Sequence, residues 1–188
     1  MTQPTPNRWL LAIRPKTLPA GACPVISAGV LAADAGAFHG PSFIACLMGA
    51  LLLQILANFA NDYSDGVRGT DAERLGPPRA VASGLIKPQV MKGAMIMTVI
   101  AVWIPGTYIL ARGGMPYFYI GIASIVCALA YTGGPYPLGY HGWGEVFAFA
   151  FFGPVAVLGT FYLMAGELPE AVFPASVAAG ALSSSAFA

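Results

Sequence analysis

FIACLMGALLLQILANFANDYSD, from Phe43 to Asp65, is apolar through most of its length and uncharged up to Asp62. About 20 such residues cross a bilayer, so the stretch reads as a membrane helix. Its polar residues are not scattered. Gln54, Asn58, Asn61, Asp62 and Asp65 follow one another at intervals of 4, 3, 1 and 3, which makes one stripe on a period of about 3.6 residues. A polar stripe on a membrane helix belongs against the bundle interior or a water-filled cavity, not lipid.

The rest of the chain agrees with that reading. Of 188 residues, 57% are hydrophobic and 9% charged, and mean hydropathy is +0.70; soluble domains carry roughly a quarter charged residues. Net charge is +1, so no bulk field points to a nucleic-acid partner. The uncharged runs between Lys16 and Asp34, Asp34 and Asp62, Lys92 and Arg112, Arg112 and Glu145, and Glu145 and Glu167 hold 17, 27, 19, 32 and 21 residues, and 18 more run from Ala171 onward. These predict six helices, at 18–37, 42–62, 92–111, 115–132, 144–165 and 170–188, in one all-α polytopic transmembrane bundle spanning 1–188. The first run is long for a signal peptide and another span follows it, so it is expected to stay as a helix. Cys23, Cys46 and Cys127 lack metal or redox spacing and read as small core residues. Gly153, Pro154, Gly159 and the Pro105–Gly106 pair read as packing and kink positions.

Eight of the nine basic residues (all but Arg112) fall on the side of the N-terminus and of the loop at about 63–90. The positive-inside rule makes that side cytoplasmic. Asp62 and Asp65 lie there, at the C-terminal end of their helix, where the helix dipole is already negative. A divalent cation relieves such crowding, and Asp and Asn oxygens suit Mg²⁺. Arg68, Arg74, Arg79 and Lys87 follow at once, and guanidinium groups beside a metal site are what a diphosphate requires. Glu73, Arg74 and Lys92 read instead as loop charges that pair among themselves.

A second polar patch, YTGGPYPLGYHGWGE (Tyr131–Glu145), breaks the longest uncharged run on the same side. It supplies Tyr131, Tyr136, Tyr140, His141 and Trp143, either as an ordinary interfacial belt or as part of the site. His141 reads as interfacial rather than as a base, and His39, on the opposite side, has no role.

With these residues in view, the sequence resembles the UbiA-type intramembrane prenyltransferases. NDYSDGVRGTD carries that family's first motif as Asn61, Asp65 and Asp71. RPKTLPA (Arg14–Ala20), RLGPPRAVASGLIKP (Arg74–Pro88), the Tyr131–Glu145 patch and FFGPVAVLGT (Phe151–Thr160) look like the 1,4-dihydroxy-2-naphthoate polyprenyltransferase branch, which serves menaquinone biosynthesis. The resemblance implies transfer of a polyprenyl group from polyprenyl diphosphate to an aromatic acid, 1,4-dihydroxy-2-naphthoate, with release of CO₂ and diphosphate, in the bacterial cytoplasmic (inner) membrane. It implies that Asn61, Asp65 and Asp71 hold Mg²⁺. Arg79, then Lys87 and Arg68, are expected at the diphosphate, Tyr131 among the catalytic residues, and Asn58, Asp62 and Tyr136 along the substrate cavity.

The family pattern has about nine helices and a second Asp-rich motif after the sixth. The six helices of this chain stop short of it, so the chain reads as the N-terminal portion of such an enzyme. Rival expectations are another acceptor (4-hydroxybenzoate or homogentisate), an inactive truncated membrane fragment, and a transporter whose acidic path crosses the bilayer.

Overall fold

The uncharged runs become helices. The structure, a computed structural model, describes residues 7–68 and 79–185. A short helix α1 (Arg8–Ile13) is capped by Asn7, whose side chain accepts the Trp9 N–H at 3.0 Å. Helix α1 stops at Arg14, because Pro15 disfavours the helical region for the residue before it. Arg14 takes a left-handed φ of 53°, and a 3₁₀ turn (Pro15–Thr17) leads into α2 (Leu18–Asp34). Helices α3 (Gly40–Arg68), α4 (Pro88–Gly113), α5 (Met115–Ala130), α6 (Gly144–Ala165) and α7 (Val172–Ser185) follow. No strand occurs among the described residues. Four stretches, Arg8–Asp34, Gly40–Arg68, Pro88–Gly113 and Gly144–Ala165, are long and apolar enough to cross a membrane. Val30, Met97, Ile104 and Leu182 stand exposed on the outside, which suits lipid and not water.

The expected boundaries need correction at three places. Helix α3 runs on to Arg68 and α4 begins at Pro88, so the connecting loop is shorter at both ends than 63–90. Charge gaps locate where apolar composition stops, whereas helical hydrogen bonds continue into polar sequence. Pro88 occupies the first turn of α4, where its missing N–H costs nothing. The third correction is inside α6. Residues Phe151–Leu158 form a π-helical segment around Pro154, an insertion typical of functional sites. Cys23 is exposed, so it is not a core residue.

Small residues set the helix packing. Gly21, Pro24, Val25, Ala28, Gly29 and Ala32 form the buried face of α2. A Cβ on Gly21 would lie 3.1 Å from the Ala50 carbonyl oxygen on α3. Gly153 is tighter: a Cβ there would lie 2.6 Å from the Ser176 carbonyl oxygen and 2.9 Å from the Gly180 Cα of α7. Gly153→Val is therefore expected to destabilise the bundle by about 1–3 kcal/mol. The unfolding midpoint of the detergent-solubilised protein checks this; an unchanged midpoint means α7 is not seated on the π segment.

Two apolar clusters close the ends of the bundle. Ala28, Ala32, Val157, Phe161, Met164 and Val172 join α2, α6 and α7. Near that end the Leu163 carbonyl accepts from Arg112 Nε at 2.9 Å, a basic group at a helix C-terminus that the dipole favours. The other cluster, Ala12, Phe59, Ala80, Val81, Ile86 and Met91, packs α1, α3 and the start of α4 against the turn that follows Arg79.

Candidate active site

Between the helices lies a cavity of about 1030 Å³. Its wall is apolar for most of its length, with contributions from α2 to α6. Polar groups gather at one end. Along α3 the lining runs from Cys46 to Asp65, or about 28 Å at 1.5 Å per residue, close to one hydrocarbon core.

The polar stripe of α3 forms the floor of that end. Gln54, Asn58, Asn61 and Asp65 all line the cavity. Asp65 is 4% exposed and both of its oxygens are engaged. Oδ1 accepts the Tyr140 hydroxyl at 2.5 Å, and Oδ2 pairs with Arg79 Nη2 at 2.6 Å. Asn61 Oδ1 accepts the Thr132 hydroxyl at 2.6 Å. Asn58 Nδ2 donates to the Ile13 carbonyl at 2.7 Å and to Thr17 Oγ1 at 2.9 Å. The Thr17 hydroxyl in turn donates to the Arg14 carbonyl at 3.0 Å. Asn58 thus ties down the break at which Arg14 holds its left-handed conformation, a strain of about 1–3 kcal/mol that the surroundings must offset. Arg14 also lines the cavity.

Tyr131 stands one residue past α5 on the cavity wall. Burial, and then the Glu145 carboxylate, push its hydroxyl above the ordinary phenol range, so at neutral pH it is an uncharged aromatic face.

Four expected site residues lie elsewhere. Asp62 does not line the cavity; it is 1% exposed and its oxygens accept the Ala80 N–H at 3.1 Å and the Val81 N–H at 2.9 Å. Successive helical residues point about 100° apart, and Asp62 turns away from the cavity toward the turn after Arg79 while Asn61 faces the lining. Arg68 leaves the site for the second loop, donating to the Thr132 and Gly134 carbonyls at 3.0 and 2.6 Å. Lys87 is exposed at the N-cap of α4, outside the lining. Tyr136 is 54% exposed and stacks on His141 with ring centroids 3.7 Å apart. Asp71, Glu73 and Arg74 lie outside the described residues.

No site role for Arg14, Thr17 or Thr132 is legible in the sequence, and Tyr140 stands there only as one of the aromatic residues of an interfacial belt or of the site. A Pro directly after an Arg, at the start of an apolar run, is the one local signal for Arg14. Nothing local marks Thr17 or Thr132 or names the α3 partner of Tyr140, since these residues meet α3 across 41 to 75 residues of chain.

The chemistry of this end follows from its charges. Among the described lining residues the cations are Arg14 and Arg79, and the only acid is Asp65. Among the described residues the polar end therefore carries one more cation than acid, a balance that suits an anion. The remaining wall suits a long apolar group, and no described acid continues along it as a cation path requires.

The UbiA prenyltransferase family matches residues 22–188. The chain is similar to the 1,4-dihydroxy-2-naphthoate octaprenyltransferase of Mycobacterium tuberculosis, with 42% identity over 95% of this chain and 61% of the relative. It is similar also to the Escherichia coli protein of the same name, with 39% identity over 89% of this chain and 57% of the relative. A 2-carboxy-1,4-naphthoquinone phytyltransferase from Synechocystis is 26% identical over 84% of this chain and 51% of the relative. The chain thus spans about three fifths of the length of the first two relatives. No solved structure matches it significantly.

Proposed function

This chain belongs to the UbiA prenyltransferase family, and from that premise we propose that it forms the donor-binding part of a membrane enzyme that moves a polyprenyl group from its diphosphate to 1,4-dihydroxy-2-naphthoate. The observation that carries this reading is that Asn61, Asp65, Arg14 and Arg79 all line one mostly apolar cavity. A diphosphate fits the polar end and an isoprenoid chain fits the walls.

In this reading Arg79 exchanges the Asp65 carboxylate for phosphate oxygens, and Arg14 reaches the same anion from the break that follows α1. Asn61 and Asp65 offer two hard oxygens one turn apart, too few for a closed cage. They suit a Mg²⁺ that keeps water and phosphate ligands. With both Asp65 oxygens already on Tyr140 and Arg79, the donor set fits a Mg²⁺–diphosphate unit rather than a resident ion, and Asp71 is a further candidate ligand. When bound, Mg²⁺ offsets the charge that builds on the departing diphosphate. The C–O bond to diphosphate breaks, the naphthoate ring attacks the allylic carbon, and the ring carboxylate leaves as CO₂. The neutral face of Tyr131 stabilises the allylic cation, and the apolar walls keep water from it. The basic residues gathered near the polar end support its placement, with the N-terminus, on the cytoplasmic side of a bacterial inner membrane.

The test uses the full-length protein that carries this chain, in membranes, with farnesyl diphosphate and either 1,4-dihydroxy-2-naphthoate or 4-hydroxybenzoate. Prenylated naphthoquinol and CO₂ are expected with the first acceptor only, and EDTA is expected to stop turnover until Mg²⁺ is restored. Product mainly from 4-hydroxybenzoate overturns the acceptor, and turnover in EDTA overturns the metal.

A further inference from the structure

Asp62, expected in the cavity, is not there, yet it is among the most buried side chains of the molecule. We propose that Asp62 is a positioning residue for Arg79: it fixes the backbone from which that guanidinium enters the site. The proposal rests on the reading of Arg79 as a diphosphate ligand.

The two amides that Asp62 accepts belong to Ala80 and Val81, the residues immediately after Arg79. The turn they begin is bonded within itself. The Arg79 carbonyl accepts the Ser83 N–H at 2.9 Å and the Ser83 hydroxyl at 2.5 Å, and the Ala80 carbonyl accepts the Ile86 N–H at 2.9 Å. Those bonds give the turn its shape. They do not say where it sits on α3. Asp62 says that, through two charge-assisted bonds from one carboxylate.

A second feature of α3 points to the same docking. Gly66, one turn beyond Asp62, leaves the space that Val81 fills: a Cβ on Gly66 would lie 2.6 Å from Val81 Cγ1 and 3.0 Å from the Ala82 nitrogen. Between these two contacts on the same helix, Asp65 receives the Arg79 guanidinium at 2.6 Å. One helix therefore holds Arg79 at both ends, its backbone through Asp62 and its charge through Asp65. Fixing the backbone at the root of Arg79 limits the positions its guanidinium can reach, so less ordering is left for a diphosphate to overcome.

The experiment is a double-mutant cycle in the full-length protein, reading kcat and KM for farnesyl diphosphate. Asp62→Asn keeps the size but sets an amide NH₂ against a backbone N–H. It is expected to raise KM about tenfold with kcat changed less than about twofold, and to add less than about twofold in an Arg79→Ala background. Gly66→Ala, which displaces the turn without touching charge, is expected to raise KM in the same direction. It carries the test alone if Asp62→Asn does not accumulate in membranes. Equal effects of Asp62→Asn in both backgrounds, or an unchanged KM in Gly66→Ala, overturn the positioning role while leaving Arg79 at the diphosphate. An unchanged KM in Arg79→Ala itself sinks both readings.

Discussion

Replacing Asp65 by Asn is expected to lower kcat/KM for prenyl transfer by about two to three orders of magnitude, the usual loss when one electrostatic contact to the departing group is removed. Three consequences act together. The variant lacks the anionic oxygen that would meet Mg²⁺. It retains an acceptor for Tyr140 but presents no charge to Arg79, whose side chain is only 9% exposed. A buried guanidinium without its carboxylate is costly and does not hold its place. Helix α3 itself is untouched, because the Asp65 side chain bonds Tyr140 and Arg79 and not the helix backbone, and the stretch from Phe43 to Ala60 is intact. Membrane content of the full-length variant should therefore match the parent while turnover is lost. Near-normal turnover would falsify the assignment of Asp65 to the diphosphate end of the cavity.

The next largest effect is expected at the apolar part of the same cavity. Gly121 of α5 lines it, and a Cβ there would meet nothing within 4 Å. Gly121 lies ten residues before Tyr131, about 15 Å along the helix from the polar end. A Cβ there has free space, so a Leu at this position is expected to fill cavity space that the donor uses while the helix stays folded. The ratio of kcat/KM for geranylgeranyl over geranyl diphosphate is expected to fall about tenfold or more, since each displaced methylene is worth about 0.8 kcal/mol. Assays of the two donors with one acceptor measure it. An equal fall for both donors means that the long chain runs along another wall.

Much of this arrangement is legible in the residues themselves. A membrane helix must be uncharged for about 20 residues, so the charge gaps locate the middle of every long helix. The stripe from Gln54 to Asp65 names the wall of α3 that meets the cavity, because a polar side chain in that setting must find a polar neighbour. Boundaries are less legible at α3 and α4, whose helical bonds continue past the apolar composition that announces them. The π segment is not legible either; Pro154 announces a disturbed ladder and not which disturbance.

The sequence by itself determined the helices, the polar stripe and the end of the bundle at which charge collects, because those follow from local periodicity and from what lipid excludes. Tertiary structure alone decided which charges act there. Asp62 and Asp65 are alike in type and only three residues apart, yet one faces two backbone amides and the other faces Arg79 and Tyr140. Arg68 and Arg79 are alike too, and one secures a loop while the other enters the cavity. The physical reason is that a side chain's role is set by the partner it meets, and these partners come from segments up to 75 residues away. Helical period fixes the direction in which each residue of α3 points. Only the packing of the turn after Arg79 and of the Tyr131–Glu145 loop against that helix fixes what it finds there.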